Sequence, residues 1–145
     1  MIIYLDTSAL VKLVFDEPGS DLAAELWDRA ASAVSSQLVY PEARAAVAAA
    51  RRGRRITSTT LRRAVGRIDK LCAELDVIGL DPELAHAAGD LAEAHGLRGY
   101  DAVHLATALS IDADSMLLAT WDGDLARAAL AAGCSVSPPP APRRS

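Results

Sequence analysis

The chain opens MIIYLDTSAL (Met1–Leu10), and the fold turns on how this stretch is read. Met1–Leu5 is an unbroken apolar run rich in strand formers, the pattern of a strand buried on both faces of a parallel sheet. Asp6, Thr7 and Ser8 follow at once, and then Leu10, Val11, Val14 and Phe15 fall at helical spacing. A buried strand that passes straight into a helix is the first half of a parallel crossover unit. It also raises a question: why does so apolar a run end on an aspartate?

The same alternation continues down the chain. DEPGS (Asp16–Ser20) breaks the first helix, and a second starts near Asp21. A short strand is predicted around Ala33–Ser36. The long alanine-rich helix after it accepts Pro41 in its first turn and ends at Gly53. Ile56–Leu75 reads as a helix with Leu61, Val65, Ile68, Leu71, Cys72 and Leu75 on one stripe and arginines on the other. DVIGL (Asp76–Leu80) is a brief strand or edge segment. Asp81 then caps a helix with Pro82 at its first position and a stop at Gly96, and a further helix starts near Tyr100. DSMLLAT (Asp114–Thr120) is the clearest later strand, Trp121–Ala131 a final helix before Gly133, and CSVS (Cys134–Ser137) a candidate last strand. The expectation is an α/β fold in three layers: a mostly parallel central sheet flanked by helices, spanning residues 1–137, with a flexible Pro/Arg tail over residues 138–145.

Composition narrows the function classes. A chain of 145 residues, 51% hydrophobic and 23% charged, suits one domain with a sizeable core. A formal net charge of −4 excludes nucleic-acid binding through bulk positive charge and leaves room only for a local basic patch. Cys72 and Cys134 lie far apart, with no CxxC pair and no histidine at zinc-ligand spacing, so neither a disulfide framework nor a structural zinc site is expected. No basic leader precedes the first apolar run, and no uncharged apolar stretch approaches the roughly 20 residues of a membrane helix. A soluble cytoplasmic protein without membrane contact is expected.

The aspartate after the first strand gains meaning from three other acids. Glu42 sits in the first turn of the helix after the second strand, Asp101 at the start of a later helix, and Asp122 just after the MLLAT strand. Ligands of parallel α/β sheets gather at the carboxyl edge of the strands, where residues scattered through the sequence converge. Singly, each acid is more simply a helix cap or first-turn acid. Together they would raise one another's pKa values unless a cation neutralised them. An oxygen-only donor set without histidine or cysteine favours Mg²⁺, with Mn²⁺ as a substitute. Such an ion activates water and stabilises the charge of a phosphodiester under attack.

These residues carry a family resemblance. YLDTSALVKL, PEARAAV, GYDAVHLATA and LLATWDGDL occur in the order found in PIN-domain ribonucleases, and more narrowly in the VapC toxins of bacterial toxin–antitoxin pairs, which the chain resembles over nearly its whole length. The resemblance implies a Mg²⁺-dependent endoribonuclease toxin cutting tRNA or ribosomal RNA, restrained by a cognate VapB-type antitoxin and frequently homodimeric. It makes Asp6, Glu42, Asp101 and Asp122 the catalytic, metal-binding acids. Thr120 matches the polar residue beside the last acid, and Asp124 a further acid of some members.

Other features weigh less. Arg51, Arg52, Arg54 and Arg55 form the densest basic stretch and are equally an RNA-backbone contact or a solvated helix face. Ser8 reads as a cap of the first helix with a supporting role at Asp6. His104, one turn after Asp101, reads as a packing or supporting residue rather than a general base, and Trp121 as packing or a base-stacking surface. Two rival functions remain. An aspartyl-nucleophile phosphatase needs a second aspartate two residues after the first, where this chain has Ser8. A non-catalytic PIN-like interaction domain would use the same acids only as caps.

Overall fold

The structure is a computed structural model and describes residues 1–144. Its sheet contains β1 (Ile2–Leu5), β2 (Ser32–Ser36), β3 (Asp76–Ile78), β4 (Met116–Ala119) and β5 (Ser135–Ser137), all parallel, in the order β3-β2-β1-β4-β5. Around it run α1 (Thr7–Val14), α2 (Ser20–Arg29), α3 (Val39–Arg52), α4 (Ser58–Glu74), α5 (Pro82–His95), α6 (Gly99–Leu109) and α7 (Gly123–Ala131). The three-layer parallel α/β expectation is met, and these strands and helices fall within about two residues of the sequence reading, except that Asp114 and Ser115, read as the start of β4, belong to a short 3-10 turn before it.

The apolar opening run is the central strand. Ile3, Tyr4 and Leu5 are buried, because β2 and β4 pair with both edges of β1 and helices cover both faces. Its pleat divides the core. Ile3 and Leu5 join Leu10, Val39, Val47, Ile68 and Leu71 under α1, α3 and α4. Tyr4 points to the opposite layer with Leu105, Leu118 and Leu125 under α6 and α7.

The strand order reverses at β1, so the crevice between the ends of β1 and β4 is the switch point where open parallel sheets receive ligands. Asp101 reaches this edge by a different route from the other acids. Its helix follows α5 rather than a strand, and α6 leads back into β4. The start of α6 therefore lies at the carboxyl edge of the sheet.

Candidate active site

Asp6 closes β1, and its backbone N–H donates to the Ala119 carbonyl at the end of β4 (3.3 Å). The residue is 3% exposed. Oδ1 accepts from the Ala9 N–H at 2.9 Å and the Ser8 hydroxyl at 2.7 Å, and Oδ2 accepts from the Thr120 hydroxyl at 2.6 Å. Asp6 is thus the N-cap of α1, in extended backbone conformation. The expected cap, Ser8, already lies inside the helix and donates to Asp6 instead. Ser8 Oγ also accepts from the Trp121 N–H at 2.8 Å, and Thr120 Oγ1 from the Asp122 N–H at 3.0 Å, tying the β1 and β4 ends together. Burial pushes the Asp6 carboxyl above its ordinary pKa, opposed by the hydrogen bonds from Thr120, Ser8 and Ala9.

Glu42 stands in the first turn of α3, and its Oε1 accepts from the Thr7 hydroxyl (3.0 Å) and from Nε2 of the buried His104 (2.7 Å). Nδ1 of that imidazole lies 2.8 Å from the Tyr4 hydroxyl. Asp101, in the first turn of α6, is buried and faces Arg98 Nε at 3.5 Å. Burial first, and then the charge of Asp122, raises its carboxyl to about 6 against the opposing pull of Arg98. Asp122 caps α7, with Oδ1 accepting from the N–H groups of Asp124 (3.0 Å) and Leu125 (3.1 Å).

Asp6, Glu42, Asp101 and Asp122, together with Thr7, Ser8, Tyr100 and His104, line one cavity of about 470 Å³. A roomier hollow of about 600 Å³ between α5 and α6, walled largely by apolar residues such as Leu84, Leu91 and Leu109, shares no residue with it. Among the described residues, no three acidic, cysteine or histidine side chains stand close enough to hold a metal ion directly. An ion seated among these acids would take one or two carboxylates and reach the rest through water, the habit of Mg²⁺. Burial, and then the charge of Asp122, outweighs Arg98 at Asp101, a setting in which a cation would be accommodated.

Asp124 is placed differently. It is exposed, pairs with Arg127 at 2.6 Å and lies outside the cavity lining. Trp121 packs against the first core layer, its indole beside Gly19 with Lys12 at 6.0 Å from the ring. Arg51 and Arg52 end α3, and Arg54 adopts a left-handed conformation (φ 58°) in the turn after Gly53. Arg51, Arg54 and Arg55 line a hollow with Thr57, Ser58 and Thr59. A third hollow, floored by Val11, Phe15 and Ala49, shares Ala46 with the acid cavity and Arg55 with the arginine hollow. A trough therefore runs along α3 from the acids to the arginines.

Sequence reading passed over Thr7, Arg98 and Tyr4. Thr7 adjoins Asp6 and Arg98 precedes Asp101 by one turn, so both were open to local reasoning. Tyr4 meets His104 across 100 positions, and nothing local signals that.

A parallel α/β fold with an acid-lined crevice at its switch point belongs here to a nuclease class of hydrolase. The PIN domain family model matches residues 3–130, and the chain belongs to that family, among its VapC-type toxins. It is 45% identical over 137 residues to Ribonuclease VapC45 of Mycobacterium tuberculosis, covering 94% of this chain and 95% of that one. Ribonuclease VapC46 of the same species is 36% identical over 137 residues, 94% and 97% of the two chains. Among solved structures, PAE2754 from Pyrobaculum aerophilum superposes with a TM-score of 0.71 at 20% identity, over 94% of this chain and 83% of that one. VapC20 of M. tuberculosis, described as a sarcin–ricin loop cleaving toxin, gives 0.67 at 20% identity over 91% and 95%. A toxin–antitoxin complex from Klebsiella pneumoniae gives 0.60 at 19% over 83% and 86%. Among the described residues, no helix is long and apolar enough to cross a membrane.

Proposed function

We propose that the chain is a Mg²⁺-dependent endoribonuclease toxin that cuts tRNA or ribosomal RNA and is neutralised by a VapB-type antitoxin. The observation that carries this reading is the convergence of Asp6, Glu42, Asp101 and Asp122, from four separate elements, on one cavity at the switch point. Curated relatives named ribonucleases, at 45% and 36% identity, support the reaction class. The toxin–antitoxin complex of the same fold supports the partner.

These four acids would hold the ion, which supplies an activated water and charge stabilisation at the scissile phosphate. The protein's own share is orientation. Thr120 and Ser8 fix both oxygens of Asp6, Thr7 and His104 fix Glu42, and Asp122 is held by the start of α7. Arg98 reduces the repulsion at Asp101 without neutralising the cavity. Arg51, Arg52, Arg54 and Arg55 would hold the RNA backbone at the far end of the trough. The nuclease unit is residues 1–137, followed by a flexible tail over 138–145, of which Ser145 lies outside the described residues, and the working form is a homodimer in the cytoplasm.

The test is cleavage of a total tRNA and ribosomal RNA pool with Mg²⁺ or Mn²⁺, with EDTA, and by Asp6→Asn and Asp101→Asn. Discrete fragments that disappear with EDTA and in both variants are expected. A folded protein that binds no divalent ion and cuts nothing would instead leave the acids as helix caps and return the chain to the interaction-domain reading.

A further inference from the structure

We propose that Tyr4 and His104 form a positioning device for Glu42, holding Oε1 so that Oε2 is the oxygen offered to the cation. The inference rests on the metal-dependent reading above and names how its second acid is set. Among the described residues, both hydrogen bonds received by Glu42 fall on Oε1, from Thr7 Oγ1 at 3.0 Å and from His104 Nε2 at 2.7 Å. An ionised carboxylate only accepts, so Nε2 carries the proton of that bond. Nδ1 is then the acceptor for the Tyr4 hydroxyl, 2.8 Å away. Tyr4 is wholly buried in the central strand, so its hydroxyl meets the imidazole from a fixed position.

The imidazole is 1% exposed and meets the Tyr4 ring edge-on, with centroids 5.9 Å apart. It therefore has one orientation, set from the strand, and transmits it to a partly buried acid on α3. A histidine that merely filled the core would need no partner at Glu42. Supporting hydrogen bonds of this kind orient metal-binding side chains, and their loss costs about 10–100-fold in metal affinity or activity.

Two replacements separate positioning from packing. In His104→Gln the side-chain amide stands in for Nε2 and still donates to Glu42, whereas in His104→Asn it stands in for Nδ1 and serves Tyr4 alone. Mn²⁺ affinity read by electron paramagnetic resonance is expected to fall about tenfold or more in His104→Asn, with recovery in His104→Gln. RNA cleavage by His104→Asn should lose kcat with KM unchanged, because the imidazole binds Glu42 rather than RNA. In the metal-free wild type, the Hε2 proton of His104 should give a slowly exchanging resonance, and Tyr4→Phe should hasten its exchange and weaken Mn²⁺ binding.

A folded His104→Asn that binds Mn²⁺ like the wild type overturns the proposal. If His104→Asn does not fold, unchanged Hε2 exchange and Mn²⁺ affinity in Tyr4→Phe overturn it instead. Glu42→Gln separates the two levels. Weakened Mn²⁺ binding in Glu42→Gln beside normal binding in His104→Asn removes only the positioning role. Normal binding in both removes Glu42 from the metal site and the proposal with it.

Discussion

At the scale of single residues, Asp101 shows what burial first, and the nearby charge of Asp122 second, do to a carboxyl in this cavity. Its folded-state pKa of about 6 lies above the ordinary 3.8, so between these values the folded protein binds a proton that the unfolded chain has released. Stability then falls as pH rises through that window and stays reduced above it. In metal-free protein, Asp101→Asn should melt at a higher temperature than the wild type at pH 7–8, and the difference should vanish near pH 4. Millimolar Mg²⁺ should narrow the difference at pH 7 by stabilising the wild type alone. Calorimetry across this pH range checks both, and equal melting of the two proteins at pH 8 without metal would contradict the burial and repulsion argued for Asp101. The acids were legible as residue types at repeated addresses, since each follows a strand or opens a helix. What fixes their rotamers was less so: Thr7 and Arg98 are local, but Tyr4 reaches Glu42 only through His104, from the other end of the chain.

At the scale of elements, the acids do two jobs. Asp122 opens α7 through Oδ1, a cap worth about 1 kcal/mol. Asn at this position keeps an oxygen acceptor, so Asp122→Asn and Asp122→Ala should both lose cleavage while only Asp122→Ala also loses about 1 kcal/mol in urea denaturation. Equal stability of the two variants would deny the cap. The start of α2 is set by Gly19, whose φ of +97° suits glycine and whose missing Cβ leaves room for Trp121. An added Cβ would stand 2.6 Å from the indole nitrogen. Gly19→Ala should therefore cost about 1–3 kcal/mol, measured the same way. The DEPGS break was readable from the sequence because glycine and proline punctuate the chain. Trp121 packing against that break was not, since the indole and Gly19 belong to segments 102 positions apart.

At the scale of the whole molecule, the opening strand and the alternation after it were enough to read a parallel sheet with helices on both faces. They did not give the strand order, which places β1 at the centre and the crevice between β1 and β4. A chain of net charge −4 nonetheless carries a local basic end, since α3 opens with Glu42 at the acid cavity and closes on Arg51 and Arg52. From Glu42 to Arg51 along α3 is about 13.5 Å at 1.5 Å per residue, within reach of a single bound strand. If Arg51, Arg52, Arg54 and Arg55 grip phosphates, each contact releases counterions, and the dependence of log K on log salt steepens by about 0.7 per phosphate on single-stranded RNA. Replacing all four by Gln in an Asp6→Asn background should flatten the binding slope by about 0.7 for each arginine that truly touches phosphate. In the Asp6-intact protein the same change should raise KM and leave kcat largely intact, because these side chains lie away from the reacting phosphate. A salt slope unchanged by all four replacements would make the arginines a solvated face, and the positive surface that guides RNA to the acids would then have to lie elsewhere, with Arg98 beside Asp101 the first place to look.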